Sequence, residues 1–353
     1  MMQDNPLSAE FFEGHLSVEA GPGWLRPWRL PHDRKALFPS PEDSLLAMAG
    51  MTSGVRLRFA TDSTRLTLRF LPLLEGVPGE DRGHFYFDAT ADGELVTSIP
   101  IAPGSDEAVF TDLPAGDKIV ELWLPQESPV SVCSLASEDG APCSAIADDR
   151  PRWITYGSSL THCVRAHSPA RIWPAIVARR HGLNLTSLGF GAQCHLDAQV
   201  GMAIAERPAD LITLKLGINC VGGSLGARTY PAAALSLVRL IRQRHPETPI
   251  GLISPIGYPP HETAPNIVDY TISDMRRDLS DVHQRLVAMG DSHVHYFDGL
   301  EVFDLSLIER YAADQCHPNG DGIEVMADNF DRVVMTPMLA LLEKLNDSRR
   351  CKN

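Results

Sequence analysis

The sequence predicts an all-β domain followed by an α/β domain built on a parallel sheet. Three observations carry this. The 353 residues exceed the length at which a single hydrophobic core usually stops growing. Up to about residue 145 the apolar positions recur with a period of two, and from residue 152 onward short apolar runs alternate with helical stretches.

In the front half, alternation is clear in VRLRFATD (55–62), RLTLRFLP (65–72), HFYFDATADGELVTSIPI (84–101), KIVELWLP (118–125) and PVSVCSLA (129–136). Side chains two apart share a strand face, so each run can bury one side. The turn signals ADG and PAGD separate them, and the spacing suggests a sandwich or jelly roll. No strong helical periodicity is found there, and its aromatics and charges are of the exposed type. The stretch SEDGAPCSAIADDRP (137–151), polar and small, is the best linker. It divides the chain into domains at 1–147 and 148–353.

The back half opens with the strand RWITYG and the helix PAIVARRHG, which starts at Pro174 and closes at Gly182. LNLTSLGF, DLITLKLG, PIGLISP and HVHYFDG are further strands, several too apolar for a sheet with a wet face. Helices are expected at about 231–245, 267–289 and 321–344. Buried strands alternating with helices mean a parallel sheet covered on both sides. Active groups in such folds sit at the carboxyl ends of strands.

The net charge, 31 − 45 = −14, argues against nucleic acid or an anionic membrane as the main partner. The opening MMQDNPLSAEFFEGH has neither a basic nor an apolar signal region, and no run approaches a membrane span. The seven cysteines (133, 143, 163, 194, 220, 316, 351) include no CxxC pair and suit reduced thiols. A cytoplasmic setting is therefore expected.

Four segments carry the chemistry: YGSSLT (156–161), LGFGAQCHLD (188–197), LKLGINC (214–220) and ADQCHPNGDG (313–322). In this order they resemble the SGNH, or GDSL-type, serine hydrolases. That family has Gly-Asp-Ser near a strand end, a glycine block, Gly-x-Asn, and Asp-x-x-His towards the C-terminus. The resemblance covers roughly 150–345 and implies a three-layer flavodoxin-like domain. A jelly roll ahead of it is similar to the layout of carbohydrate acetylesterases and of polyketide-pathway acyltransferases.

A serine hydroxyl is a poor nucleophile until a base takes its proton. Asp314 and His317, three apart, can let a carboxylate hold one ring nitrogen while the other faces the serine. The resemblance makes Ser159 the nucleophile, His317 the base and Asp314 its orienting acid. It makes the backbone N–H of Ser159, that of Ala192 and the side-chain amide of Asn219 the oxyanion donors, each worth ~3 kcal/mol. Two departures stand out. Ser158 occupies the usual Asp position. Ala192 takes the donor glycine's place, which suits alanine provided φ is not positive, with Gly191 the alternative.

Cys163, Cys194, Cys220 and Cys316 fall one in each block, beside His162, His195 and His317. Thiolate and imidazole suit zinc, yet no two of these cysteines share a short metal spacing, so packing is preferred and no metal or cofactor is expected. Thiols near a pocket could still make activity sensitive to alkylation. His293 and His295 share a strand face, with packing again the preferred reading. The segment 254–266 is long for a connector and offers Tyr258 and His261 as pocket contacts.

The expected function is a serine esterase acting through an acyl-enzyme on a small-molecule ester. The alternatives are an acyltransferase using an alcohol acceptor through the same residues, and a non-catalytic binding protein on this scaffold. Neither nucleic acid nor membrane is expected as a partner.

Overall fold

The computed structural model describes residues 3–73, 83–138 and 140–350. Met1, Met2, Asp139 of the linker and Cys351 lie outside them. The chain forms two compact units, one of residues 1–150 with 166–187 and one of 151–165 with 188–353.

The first unit is a sandwich of two antiparallel sheets. One runs Ser17–Gly21, Trp24–Trp28, Val132–Ser137, Leu66–Phe70, Glu107–Phe110, with Gln3–Asn5 also beside Val132–Ser137. The other runs Ser144–Ala145, Arg56–Thr61, Lys118–Trp123, Phe85–Ala91, Glu94–Ile101, with Phe12–Glu13 also beside Arg56–Thr61. The period of two sends Leu57, Phe59, Phe87 and Leu122 of one sheet towards Leu66, Leu68 and Phe110 of the other. Phe70 and Phe87 stack across the core with centroids 4.8 Å apart. Burying such rings stabilises by about 1.5–3 kcal/mol each. A short helix, Ser44–Gly50, occurs where no helix was expected.

The exposed reading of this unit's charges and aromatics is corrected. Trp28 and Trp123 are buried, as are Arg56, Arg58 and Glu121 on the face opposite Leu57 and Phe59. Asn184 and Leu185 of the same unit cover Arg56, which donates to Asn184 Oδ1 at 2.9 Å and to the Leu185 carbonyl at 3.0 Å. Glu121 Oε1 accepts from Arg56 and Arg58 at 3.2 Å each and from Arg150. A face that alternation alone leaves in water becomes a buried ionic layer.

In the second unit the strands are β1 (Arg152–Gly157), β3 (Leu211–Lys215), β4 (Ile250–Ile253) and β5 (Val294–Phe297), while β2 (Asn184–Gly189) straddles the division between units. β1, β3, β4 and β5 run parallel in that order, with Ile154 opposite Ile212, Ile212 opposite Ile250 and Ile250 opposite Val294. All five residues of β3 and all four of β4 are buried, which their apolar runs require.

The longer helices and the serine turn are α1 (Ser159–His162), α2 (Trp173–Arg180), α3 (Ala198–Glu206), α4 (Tyr230–Arg242), α5 (Ile272–Ala288), α6 (Gly320–Phe330) and α7 (Thr336–Arg350), with two short helices, Gly299–Val302 and Leu305–Tyr311, between β5 and α6. α2 starts one residue before Pro174. α3 was not anticipated; it lies close to α4 because Gly201 has no Cβ, which would come within 2.7 Å of Leu237. α5 starts at Ile272 and not at 267, since Thr271 and Asp274 form a capping box there. The single helix expected at 321–344 is two, joined by a π-helical stretch at Asp331–Met335. Pro337 explains the widening, because its ring clashes with the carbonyl four residues back. Among the described residues no helix is long and apolar enough to cross a membrane.

Candidate active site

β1 ends at Gly157 and the chain turns at once into α1. Ser158 is the N-cap, with its hydroxyl accepting from the Leu160 N–H at 3.3 Å and only 1% exposed. Serine caps about as well as aspartate, so the substitution of Ser for the usual Asp leaves the local turn satisfied. Ser159, the next residue, points elsewhere: its Oγ lies 2.8 Å from Nε2 of His317. The two adjacent serines are thereby separated, one spent on backbone and one facing an imidazole.

Asp314 and His317 sit in the loop before α6. Nδ1 of His317 is 2.8 Å from Asp314 Oδ2, while Asp314 Oδ1 accepts the N–H groups of Cys316 at 3.0 Å and His317 at 2.8 Å. This is possible because Gln315 adopts φ +60° and folds the loop back on its own carboxylate. Burial pushes the Asp314 carboxyl up, but the His317 N–H, the His317 ring and the Cys316 N–H outweigh it and hold it at about 2. Arg165 also pairs with Asp314 Oδ2 at 3.1 Å and donates to the His317 carbonyl at 3.1 Å. With Asp314 ionised, Nδ1 carries the hydrogen and Nε2 is the lone pair facing Ser159.

The glycine block follows β2. Phe190 donates to the Gly157 carbonyl at 2.8 Å, which ties this loop to the serine turn. Gly189 is needed there, since a Cβ would come within 2.3 Å of the His162 nitrogen. Gly191 donates its N–H to Nδ1 of His162 at 3.3 Å and is therefore spent. Ala192 adopts φ +57°, contrary to the condition under which alanine was expected to be comfortable. Its strain, about 1–2 kcal/mol, is held by His195, whose Nε2 donates to the Ala192 carbonyl at 3.0 Å while Nδ1 accepts from Ser224 at 2.8 Å.

Asn219 lies in the 3₁₀ turn Ile218–Gly222 after β3. Its Oδ1 accepts the Cys194 N–H at 2.9 Å, so its amide nitrogen faces the other way. Among the described residues the Ser159 N–H, the Ala192 N–H and Asn219 Nδ2 carry no protein hydrogen bond. They are three donors from three loops, left unspent.

The remaining candidates separate. Burial pushes the Tyr258 hydroxyl up, with Cys316 and then Asp314 adding to it. His261 lies against Tyr258, with centroids 6.0 Å apart, and meets the Ala264 carbonyl. Their segment is braced by Arg276, which bonds the Pro255 carbonyl and both oxygens of Glu262. His293 lines a cavity with Arg239, Arg242 and Asp291 at the amino end of β5, the end of the strand opposite to that at which Ser159 follows β1. Six cysteines are free thiols, and among the described residues no three His, Cys, Asp or Glu side chains gather as a metal would need. Sequence reasoning missed Arg165 and the support that His162 and His195 give the glycine block; only the adjacency of both histidines to motif residues hinted at it.

Residues 151–335 match the GDSL-like Lipase/Acylhydrolase family, and residues 11–130 match the SsfX3, N-terminal domain. Among solved structures the chain is similar to the salicylyl-acyltransferase SsfX3 from a tetracycline biosynthetic pathway. Identity is 34%, with 95% of this chain and 97% of that chain covered at a TM-score of 0.85. Two more distant structures share the fold. One is a family two carbohydrate esterase from Cellvibrio japonicus, at 15% identity, 97% and 100% coverage and TM-score 0.61. The other is a family two carbohydrate esterase from Clostridium thermocellum in complex with cellohexaose, at 13% identity, 84% and 94% coverage and TM-score 0.61. No curated protein matches the chain. A family match across more than half the chain and a likeness over nearly all of it lead to one conclusion: the protein belongs to the GDSL-like lipase/acylhydrolase family, as an SGNH-type ester hydrolase or acyltransferase with an N-terminal β-sandwich.

Proposed function

We propose that the protein is a serine esterase that forms an acyl-enzyme on a small-molecule carboxylic ester, with 148–353 as catalytic domain and 1–147 as accessory domain. The observation that carries this is the 2.8 Å approach of Ser159 Oγ to His317 Nε2, with Asp314 on the other ring nitrogen. His317 takes the hydroxyl proton as Ser159 Oγ attacks the ester carbonyl. Asp314 stays ionised and stabilises the imidazolium. The Ser159 and Ala192 N–H groups and Asn219 Nδ2 receive the oxyanion. Collapse of the tetrahedral intermediate breaks the bond to the leaving alcohol, which takes the proton back from His317. Water, deprotonated by His317, then releases the acid and restores the serine.

A second reading is transfer to an alcohol acceptor, favoured by the likeness to the salicylyl-acyltransferase over nearly the whole of both chains. The triad would be the same; the difference lies in how well the acceptor site excludes water. A cytoplasmic setting is part of the proposal and rests on the sequence alone.

The test is intact mass after incubation with short-chain acyl esters and with a fluorophosphonate, followed by product analysis with and without added alcohols. An adduct on Ser159 is expected. Free acid without acceptor supports the esterase; acyl product only with acceptor supports transfer. A protein that takes up neither reagent is a binding protein, and the proposal fails.

A further inference from the structure

Arg165 lies just past α1, the short helix that opens with Ser159. Cys163 caps that helix at φ +60°, so the chain turns sharply before it reaches Arg165. Nη1 of Arg165 is 3.1 Å from Asp314 Oδ2 and donates to the His317 carbonyl at 3.1 Å. Ser159 Oγ meets the same histidine at Nε2, 2.8 Å away. One short segment therefore grips the histidine loop twice, through the nucleophile at the ring and through Arg165 at the carboxylate and the main chain.

The loop's own bonds close it on itself. Gln315 donates to the Ala312 carbonyl at 2.8 Å, and Asp314 Oδ1 accepts the Cys316 and His317 N–H groups. These bonds set the shape of the loop but not its distance from Ser159. The His317 and Asp314 side chains keep 34% and 38% of their exposure, so packing holds them weakly. Charge does not explain the arginine. A cation beside Asp314 offsets the field that favours the imidazolium, so by charge alone Arg165 opposes the base. A partly exposed ion pair also adds little to stability. Nor does Arg165 meet a substrate group in the cavity it shares with Ser159 and His317, whose volume of about 10 Å³ holds no more than one water. We propose that Arg165 is a positioning residue: it clamps the Asp314–His317 loop onto the α1 segment and so sets the approach of Nε2 to the Ser159 hydroxyl. This rests on the acyl-enzyme reading above. A misplacement of about 1 Å between reacting groups can cost about a hundredfold in rate, so a clamp outside the proton path still controls kcat.

The experiment compares the full-chain wild type with Arg165→Met and Arg165→Lys on an activated short-acyl ester. Turnover is counted per Ser159 that a fluorophosphonate labels exhaustively, and melting temperature is recorded beside it. Arg165→Met should lower kcat by about 10- to 100-fold, with KM within about twofold and the melting temperature within about 2 °C of wild type. Arg165→Lys, whose ammonium can donate to both acceptors, should recover most of that loss. A merely structural arginine predicts a lower melting temperature with kcat per labelled serine unchanged, which overturns the inference. A methionine variant as fast as wild type, or faster, overturns it too, since charge would then be the stronger effect. So does a lysine variant as slow as the methionine one. Should Arg165→Met fail to fold, Arg165→Gln is read in the same way. Wild-type protein whose Ser159 is not labelled overturns the acyl-enzyme reading itself.

Discussion

In the first unit Arg56, Arg58 and Arg150 converge on Glu121 and Asp148, and Arg56 also binds Asn184 and the Leu185 carbonyl. In the second unit three hydrogen-bond donors, the Ser159 N–H, the Ala192 N–H and Asn219 Nδ2, carry no protein partner among the described residues. The first arrangement takes charge out of water and recovers that cost through ion pairs in the folded state; the second leaves polar groups unspent. A satisfied network fixes a conformation, whereas an unspent donor reserves its interaction for a ligand. The unit with the paired charges should therefore respond to mutation in stability, and the unit with the spare donors in rate.

The largest expected effect lies at Ser159. Ser159→Ala should reduce kcat by about a millionfold, as for removal of a serine nucleophile, with an unchanged melting curve. Comparable loss from Ser158→Ala would reverse the assignment of the two serines. Glu121→Ala should cost about 3–5 kcal/mol of stability, because it leaves buried guanidinium groups unpaired. Urea unfolding checks this, and normal kcat at low temperature completes the contrast. Asn219→Ala should lower kcat by about 10²–10³ with little change in KM; a pure KM effect would remove Asn219 from the oxyanion site. Thr271→Ala, which removes half of the α5 capping box, should cost about 1 kcal/mol and leave kcat alone.

Asp314 adds a pH expectation to the contrast. Its folded value lies below the usual 3.8, at about 2. The stability it contributes is present above the unfolded value and is lost as pH falls through 2. An acid limb of activity above pH 4 must then arise from another group. Asp314→Asn should lower the plateau of activity, which steady-state rates from pH 4 to 8 would reveal.

Much of the site was legible because its parts are local in sequence. Ser159 follows a strand, Asn219 follows another, and Asp314 and His317 are three apart, so four short windows sufficed. What escaped depends on folding bringing distant residues together. Arg165 means nothing until it reaches Asp314. Ala192 could be matched to its block by register, but its positive φ could not. The alternation of Arg56 and Arg58 with Leu57 and Phe59 was readable, yet alternation says which residues share a face and not what covers it. The capping box TISD and Pro337 were visible signals, outweighed by the apolar periodicity around them.

The tether between the Cys194 N–H and Asn219 Oδ1 has a consequence for how this pocket can drift. An aspartate at 219 would accept the same tether through one oxygen, so the scaffold would scarcely register the exchange. Its second oxygen would then stand where the amide now offers hydrogens, repelling the oxyanion proposed to sit there. On that proposal one atom divides a working pocket from a silent one of the same shape.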